Sequence, residues 1–237
     1  MTDDQTVSLA IETSCRAGGL LLAVGGQPDR VVHFDAAARH ATHLLTHLAA
    51  MVREAHLTPQ DIRLLYVSVG PGSFTGLRVG ITVARTLAQA VPLIQCVAVP
   101  TPQAIAENAR PLDWQHLAVI LDARRHGIHA TLFARHADRI DPADPPAGLF
   151  APADFLAAAP RPLMLTGEGL AYHDLAAPGV TLAPPDLHLP TVETVHTVGC
   201  RLAAAGTFTE YHRLLPVYTT GPHITTPAGQ AGAQDQS

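Results

Sequence analysis

The chain opens with a short apolar run, Val7–Thr13 (VSLAIET), and two more follow at Gly18–Val24 and Arg30–Asp35, the last two separated by GGQPD. Runs of this length, bounded by Gly, Pro and Asp, predict buried strands, and the tight turn predicts a meander. From Ala37 to His56 the period changes, with Leu44, Leu45, Leu48, Met51 and Val52 returning at helical spacing. Thr58 reads as an N-cap, with Pro59 at the first position of a short turn. Leu64–Val69 predicts a strand, Gly76–Val91 a helix and Leu93–Val99 another strand, after which Thr101 is expected to cap a helix reaching Arg110. Strands interleaved with helices in this order predict an α/β fold on a mixed sheet.

The stretch ARPLDWQ (Ala109–Gln115) marks the expected boundary between a first lobe, 1–110, and a second, 111–220, with 221–237 an unfolded tail of small polar residues. The second lobe reads as strands at Leu117–Asp122, Ile128–Ala134 and Leu163–Thr166, a proline-rich loop DPADPPAG, and a helix at Thr191–Ala205. The pattern weakens after Gly206. One parallel links the halves: each begins with a strand that ends in an acid, Glu12 and Asp122.

Composition narrows the function classes. With 237 residues, 47% hydrophobic and 15% charged, the chain can bury a large core. A net charge of −5 argues against a surface that binds nucleic acid unaided, because neutralising phosphates needs clustered Lys and Arg. Cys15, Cys96 and Cys200 are far apart with no CxxC pair, which suits free thiols in a reducing cytoplasm. The start lacks a basic segment before an apolar one, and no apolar run reaches the roughly 18 residues of a membrane span. The expectation is a cytoplasmic globular protein without a membrane segment.

Between Ser68 and Ala90 stands SVGPGSFTGLRVGITVARTLAQA, a glycine loop followed by a helix. It matches neither GxxxxGK[ST] nor GxGxxG, since Gly70, Gly72 and Gly76 give GxGxxxG. An anion at the helix N-terminus stays physically open. The helix has few large polar residues, Arg78, Arg85 and Gln89, so most of its circumference is expected to be buried. Gly76, Gly80, Ala84 and Ala88 form one small-residue edge. A mid-helix glycine costs about 1 kcal/mol against alanine, so Gly80 answers a close approach. Read from the residues alone, that approach is by the protein's own sheet or by another polypeptide.

Other candidate chemistry is thin. Ser14, Ser73 and Cys15 lie in no GxSxG elbow. His40, His43 and His47 share one helical face beside Leu44 and Leu48, a spacing that suits zinc if a carboxylate joins them, or a solvated or interface face.

Three segments, LAIETS, SVGPGSFTGLRVGITVARTLA and LDARR, together resemble the TsaB (YeaZ-type) family, continuously through the first half and patchily in the second at LTGEGL and LPVY. The resemblance implies an actin-like (ASKHA, ribonuclease H-like) fold of two lobes with mixed sheets flanked by helices. It implies a non-catalytic dimerisation subunit of the bacterial tRNA threonylcarbamoyladenosine-forming complex, with no cofactor or metal of its own. Such a subunit pairs with the catalytic paralogue TsaD, or with itself when alone, beside a TsaE-type ATPase, and meets tRNA through the complex. The pairing surface it implies comprises His40, His43, Leu44, His47, Leu48, Phe74, Thr75, Gly76, Leu77, Gly80, Ile81, Ala84 and Ala88.

The start AIETSC also resembles TsaD. However, the central loop GPGSFTGLRVG differs from the GPGLxGALxxG of TsaD, and AVPTPQAIAEN lacks the HxxxH metal pair found at that point. The chain departs from the TsaB pattern too, with Glu12 in place of Asp and RRHGIH in place of RxGEVY. The alternative expectation is a small-molecule kinase or ATPase of the same fold, in which Glu12, Thr13, Ser14 and Asp122 are degenerate cofactor-binding candidates.

Overall fold

The computed structural model describes residues 5–25, 27–34, 40–123 and 127–218. Five strands build the first sheet: β1 (Val7–Glu12), β2 (Gly18–Val24), β3 (Gln27–Phe34), β4 (Ile62–Gly70) and β5 (Gln95–Pro100), in the order β3-β2-β1-β4-β5. The meander β1–β3 is antiparallel, whereas β4 runs parallel to both β1 and β5. Parallel pairing requires crossover connections, and α1 (His40–Glu54) and α2 (Phe74–Ala90) supply helices to them.

Alternation along β1 and β2 decides what each face meets. Leu9, Ile11, Leu20 and Leu22 point toward α1 and α2, packing with Leu44, Leu48, Leu77, Ile81 and Ala84. Ala10 and Leu21 point the other way and meet Tyr66, Val195 and Val198. Because both faces are covered, the strands read as continuous apolar runs.

The second sheet, in the order β11-β10-β6-β7-β8, comprises β6 (His116–Asp122), β7 (Ile128–His136), β8 (Arg139–Pro142), β10 (Leu163–Thr166) and β11 (Val180–Leu182), while β9 (Gly148–Phe150) also pairs with β7. One face packs under α3 (Thr101–Asn108) through Ile105, Ala106, Val119 and Phe133. The other packs under α4 (Pro152–Ala158) through Phe155, Ile120 and Leu165.

Several expectations need correction. β3 begins at Gln27, so the expected turn GGQPD is shorter than its composition suggests. Thr101 lies inside α3, and Pro100 holds the N-cap position. The short β8, β9 and β11 and the seven-residue α4 were not anticipated. The division at residue 111 also fails for the end of the chain. Helix α5 (Val192–Ala204), capped by Thr191, packs on the first sheet through Val192, Val195 and Val198. Beyond it, Thr209 N–H bonds Cys96 O, Leu214 is buried in the first core, and Val217 N–H bonds Val69 O at 2.7 Å. The open edge of β5 and the second face of that sheet need this apolar cover, so the last residues return to the first lobe.

Candidate functional site

The acidic end of β1 is closed from all sides. Glu12 is 0% exposed, and its Oε1 accepts hydrogen bonds from the Ser14 N–H and hydroxyl. Its Oε2 has no hydrogen-bond partner among the described residues. Burial pushes this carboxyl up to about 7, against the downward pull of the Ser14 and Ser68 hydrogen bonds.

The glycine loop supplies the lid. Ser73 N–H donates to Ser14 O at 2.6 Å. A β-carbon on Gly72 would overlap Ser14 O, one on Gly76 would overlap Thr13 O, and one on Gly80 would overlap Thr13 Oγ1. At the start of α2 the Ser73 hydroxyl caps Gly76 N–H at 3.3 Å, and Ser73 O takes Leu77 N–H. The backbone of Thr13–Ser14 therefore packs directly on the glycine loop and the first turns of α2.

The acid of the second lobe lies in a different setting. Asp122 Oδ1 faces His173 Nε2 at 3.0 Å, and nearby the Arg16 guanidinium donates to Tyr172 Oη at 2.6 Å. Burial raises the Glu168 carboxyl, Arg16 opposes that, and Asp122 adds to it. Glu12 is thus fully buried, whereas Asp122 is partly exposed. Arg124 lies outside the described residues. Tyr172 and His173 were missed because they sit in an irregular segment with no periodicity to mark them.

Helix α2 divides the expected pairing residues. Gly76, Leu77, Gly80, Ile81, Ala84 and Ala88 are buried in this chain's own core, so the small-residue edge serves its own sheet and not a partner. Leu44 and Leu48 of α1 are buried there too. Phe74, 49% exposed, and Thr75 face outward, as does Leu45 on α1 at 60%. With Arg78, Val79, Thr82 and Val83, Phe74 and Thr75 line an open groove of about 390 Å³. Arg78 Cζ lies 5.2 Å from the centre of the Phe74 ring, which stacks on Tyr218 at 5.0 Å.

His47 is half-buried, its ring tilted against Phe34 at 5.4 Å. The side chains of His40 and His43 lie outside the described residues. Among the described residues no group of three or more His, Cys, Asp or Glu could hold a metal ion. Nor is any described helix long and apolar enough to cross a membrane.

A buried polar cluster escaped the sequence reading. Under the first sheet, Ser8 Oγ lies 3.1 Å from His196 Nε2, with Cys200 and Tyr66 beside it. Burial lowers the His196 imidazole and raises the Cys200 thiol, which favours the neutral forms of both.

Comparison with known proteins agrees with this geometry. A family model described as "TsaD: tRNA N6-adenosine threonylcarbamoyltransferase" matches residues 31–215. The chain is 33% identical over 94 residues, 40% of either chain, to the tRNA threonylcarbamoyladenosine biosynthesis protein TsaB of Bacillus subtilis. It is 26% identical over 220 residues to the protein of the same description in Escherichia coli, covering 89% of this chain and 93% of that one. YeaZ from Pseudomonas aeruginosa superposes with a TM-score of 0.77 at 24% identity, over 90% of this chain and 100% of that one. A protein from the same organism, described as uncharacterized with similarity to peptidase YEAZ, gives 0.75 at 23% identity over 91% and 100%. At such identities the two structures speak for the fold, which is the actin-like, ribonuclease H-like one of two lobes. Taken with the curated relatives and the long family match, the chain belongs to the TsaD family in that model's sense and, within it, to the TsaB (YeaZ-type) group.

Proposed function

We propose that the chain is a non-catalytic dimerisation subunit of a bacterial tRNA threonylcarbamoyladenosine-forming complex, pairing with a TsaD-type catalytic paralogue. The observation that carries this reading is the double use of α2. Its inner edge and first turns pack against Thr13 and Ser14 of the same chain. Its outer face presents an unfilled groove. The pathway comes from the printed names of the curated relatives.

The pairing surface on this reading is the outward one: Phe74, Thr75, Arg78, Val79, Thr82 and Val83 of α2, with Leu45 of α1. Two such helix hairpins would meet as four packed helices. A second copy takes the same face when the paralogue is missing. A TsaE-type ATPase completes the complex, tRNA is reached through the assembly, and the work takes place in the cytoplasm.

Size-exclusion chromatography with light scattering, run with and without the paralogue from the same cell, tests the proposal. The expected result is a one-to-one complex, with no heat of ATP binding to the chain alone. A chain that ignores the paralogue and binds or hydrolyses ATP through Glu12 and Asp122 would make it a kinase or ATPase instead.

A further inference from the structure

We infer that the C-terminal strap, residues 209–218, forms one wall of the pairing surface. Within it Tyr218 acts as a positioning residue that sets Phe74 and Arg78 for a partner helix bearing a carboxylate. The inference rests on the pairing reading above and adds the recognition element to it.

The strap is fixed at both ends. Thr209 N–H bonds Cys96 O at 2.8 Å, Leu214 is fully buried, and Val217 N–H bonds Val69 O. Val217 O lies directly against Gly70, which has φ +107° and room for no β-carbon. This anchoring delivers the Tyr218 ring onto Phe74 with an interplanar angle of 29°. Phe74 is the first residue of α2 and half exposed, so without that ring its side chain would sample several rotamers. Stacking holds it ready at the rim of the groove, and an ordered aromatic loses less entropy when a partner covers it.

Arg78 sets the chemistry of that partner. Its guanidinium lies over Phe74 and, among the described residues, meets no carboxylate. Helix α2 contains no Asp or Glu at all. The groove thus offers the aliphatic Val79 and Val83 and the methyl groups of Thr75 and Thr82 beside one oriented cation. A fitting partner helix carries an apolar stripe flanked by Asp or Glu. A second copy of this chain brings Arg78 and Arg85 on its own α2, so it meets like charge, and the paralogue is the preferred occupant.

The test measures the affinity of the full chain for the paralogue by calorimetry at low and high salt. The variants are Tyr218→Ala, Tyr218→Phe, Arg78→Gln and Val79→Arg, each with its thermal midpoint. Tyr218→Ala is expected to weaken pairing about tenfold with an unchanged midpoint, and Tyr218→Phe to pair as wild type. Arg78→Gln is expected to remove most of the salt dependence, and Val79→Arg to abolish pairing by filling the groove. If Val79→Arg abolishes pairing while Tyr218→Ala binds like wild type, the strap has no role and the pairing surface stands. If Val79→Arg also pairs normally, both fail. Should Tyr218→Ala lose fold and pairing together, Arg78→Gln decides: unchanged salt dependence overturns the inference, and reduced dependence upholds it.

Discussion

Gly76 lies against the carbonyl oxygen of Thr13 so closely that even one methyl group on its α-carbon would overlap that atom. Replacing a helical glycine by alanine normally gains about 1 kcal/mol. Here the obstacle is backbone that cannot swing aside, so Gly76→Ala should cost a net 1–3 kcal/mol, roughly the penalty of overpacking. A β-carbon added at Gly80 would overlap Thr13 Oγ1 and lie 3.4 Å from Thr13 Cβ and Ile11 Cγ2. That oxygen moves aside only if the buried, β-branched Thr13 changes χ1. Gly80→Ala should therefore also destabilise the isolated chain in urea denaturation, though less than Gly76→Ala because a side chain yields more readily than backbone. Gly80→Leu should destabilise it more.

Glu12 makes stability depend on pH in an unusual direction. Its folded value of about 7 lies above the ordinary 4.5, so the folded protein binds the proton more tightly. The associated stability is complete below pH 4.5 and is lost as pH rises through 7. The whole effect is about 3 kcal/mol. His129 and His196, pushed down by burial, act in the opposite sense below about pH 6.5. The informative quantity is thus the difference between wild type and Glu12→Gln, followed by urea denaturation from pH 5 to 8. The variant should gain on wild type as pH increases.

The three thiols should behave as buried groups. Burial raises Cys15 strongly, aided by the Glu12 and Glu168 charges, and pushes Cys96 up to about 11. In an aromatic-disulfide titration at pH 8, Cys15 and Cys96 should stay silent in the native protein, and Cys200 should react slowly. All three should react at once in denaturant.

Glu107 ties α3 to α5. Burial alone would push its carboxyl up, but hydrogen bonds from Arg110 and Arg201 outweigh that and hold it below the ordinary value. Arg201→Ala removes one of two partners from a nearly buried carboxylate and should cost about 1–3 kcal/mol. Glu107→Gln should cost less than Glu107→Ala because it retains acceptors and volume, and thermal denaturation of the set checks the order.

The legible parts of this fold were those whose pattern is local. The runs at β1, β2 and β6 announce themselves through apolar continuity and the body of α2 through its period. The sequence starts that helix at Gly76, however, and the observed one starts at Phe74 after the Ser73 cap. Strands β8, β9 and β11, of three or four residues among prolines, carry too little periodicity to rise above loop composition. The small-residue edge of α2 was read correctly as a close approach, but spacing cannot say whose backbone approaches. Thr13 arrives there from sixty-odd residues away, through strand pairing that no local window records. The same limit hid the return of α5 and of Leu214 to the first sheet, and with it the stacking of Tyr218 on Phe74.

That return has a consequence for how the protein is made. The edge of β5 is bridged at Cys96 by Thr209, and Leu214 completes a core begun by Val7. A ribosome releases residues in order, so an early half already able to pair its strands must wait with one flank bare until the final turns emerge. Such a flank can zip onto neighbouring nascent chains. Truncated products ending before residue 209 are accordingly expected to accumulate as insoluble aggregates, whereas chains trimmed only after Tyr218 should stay dispersed.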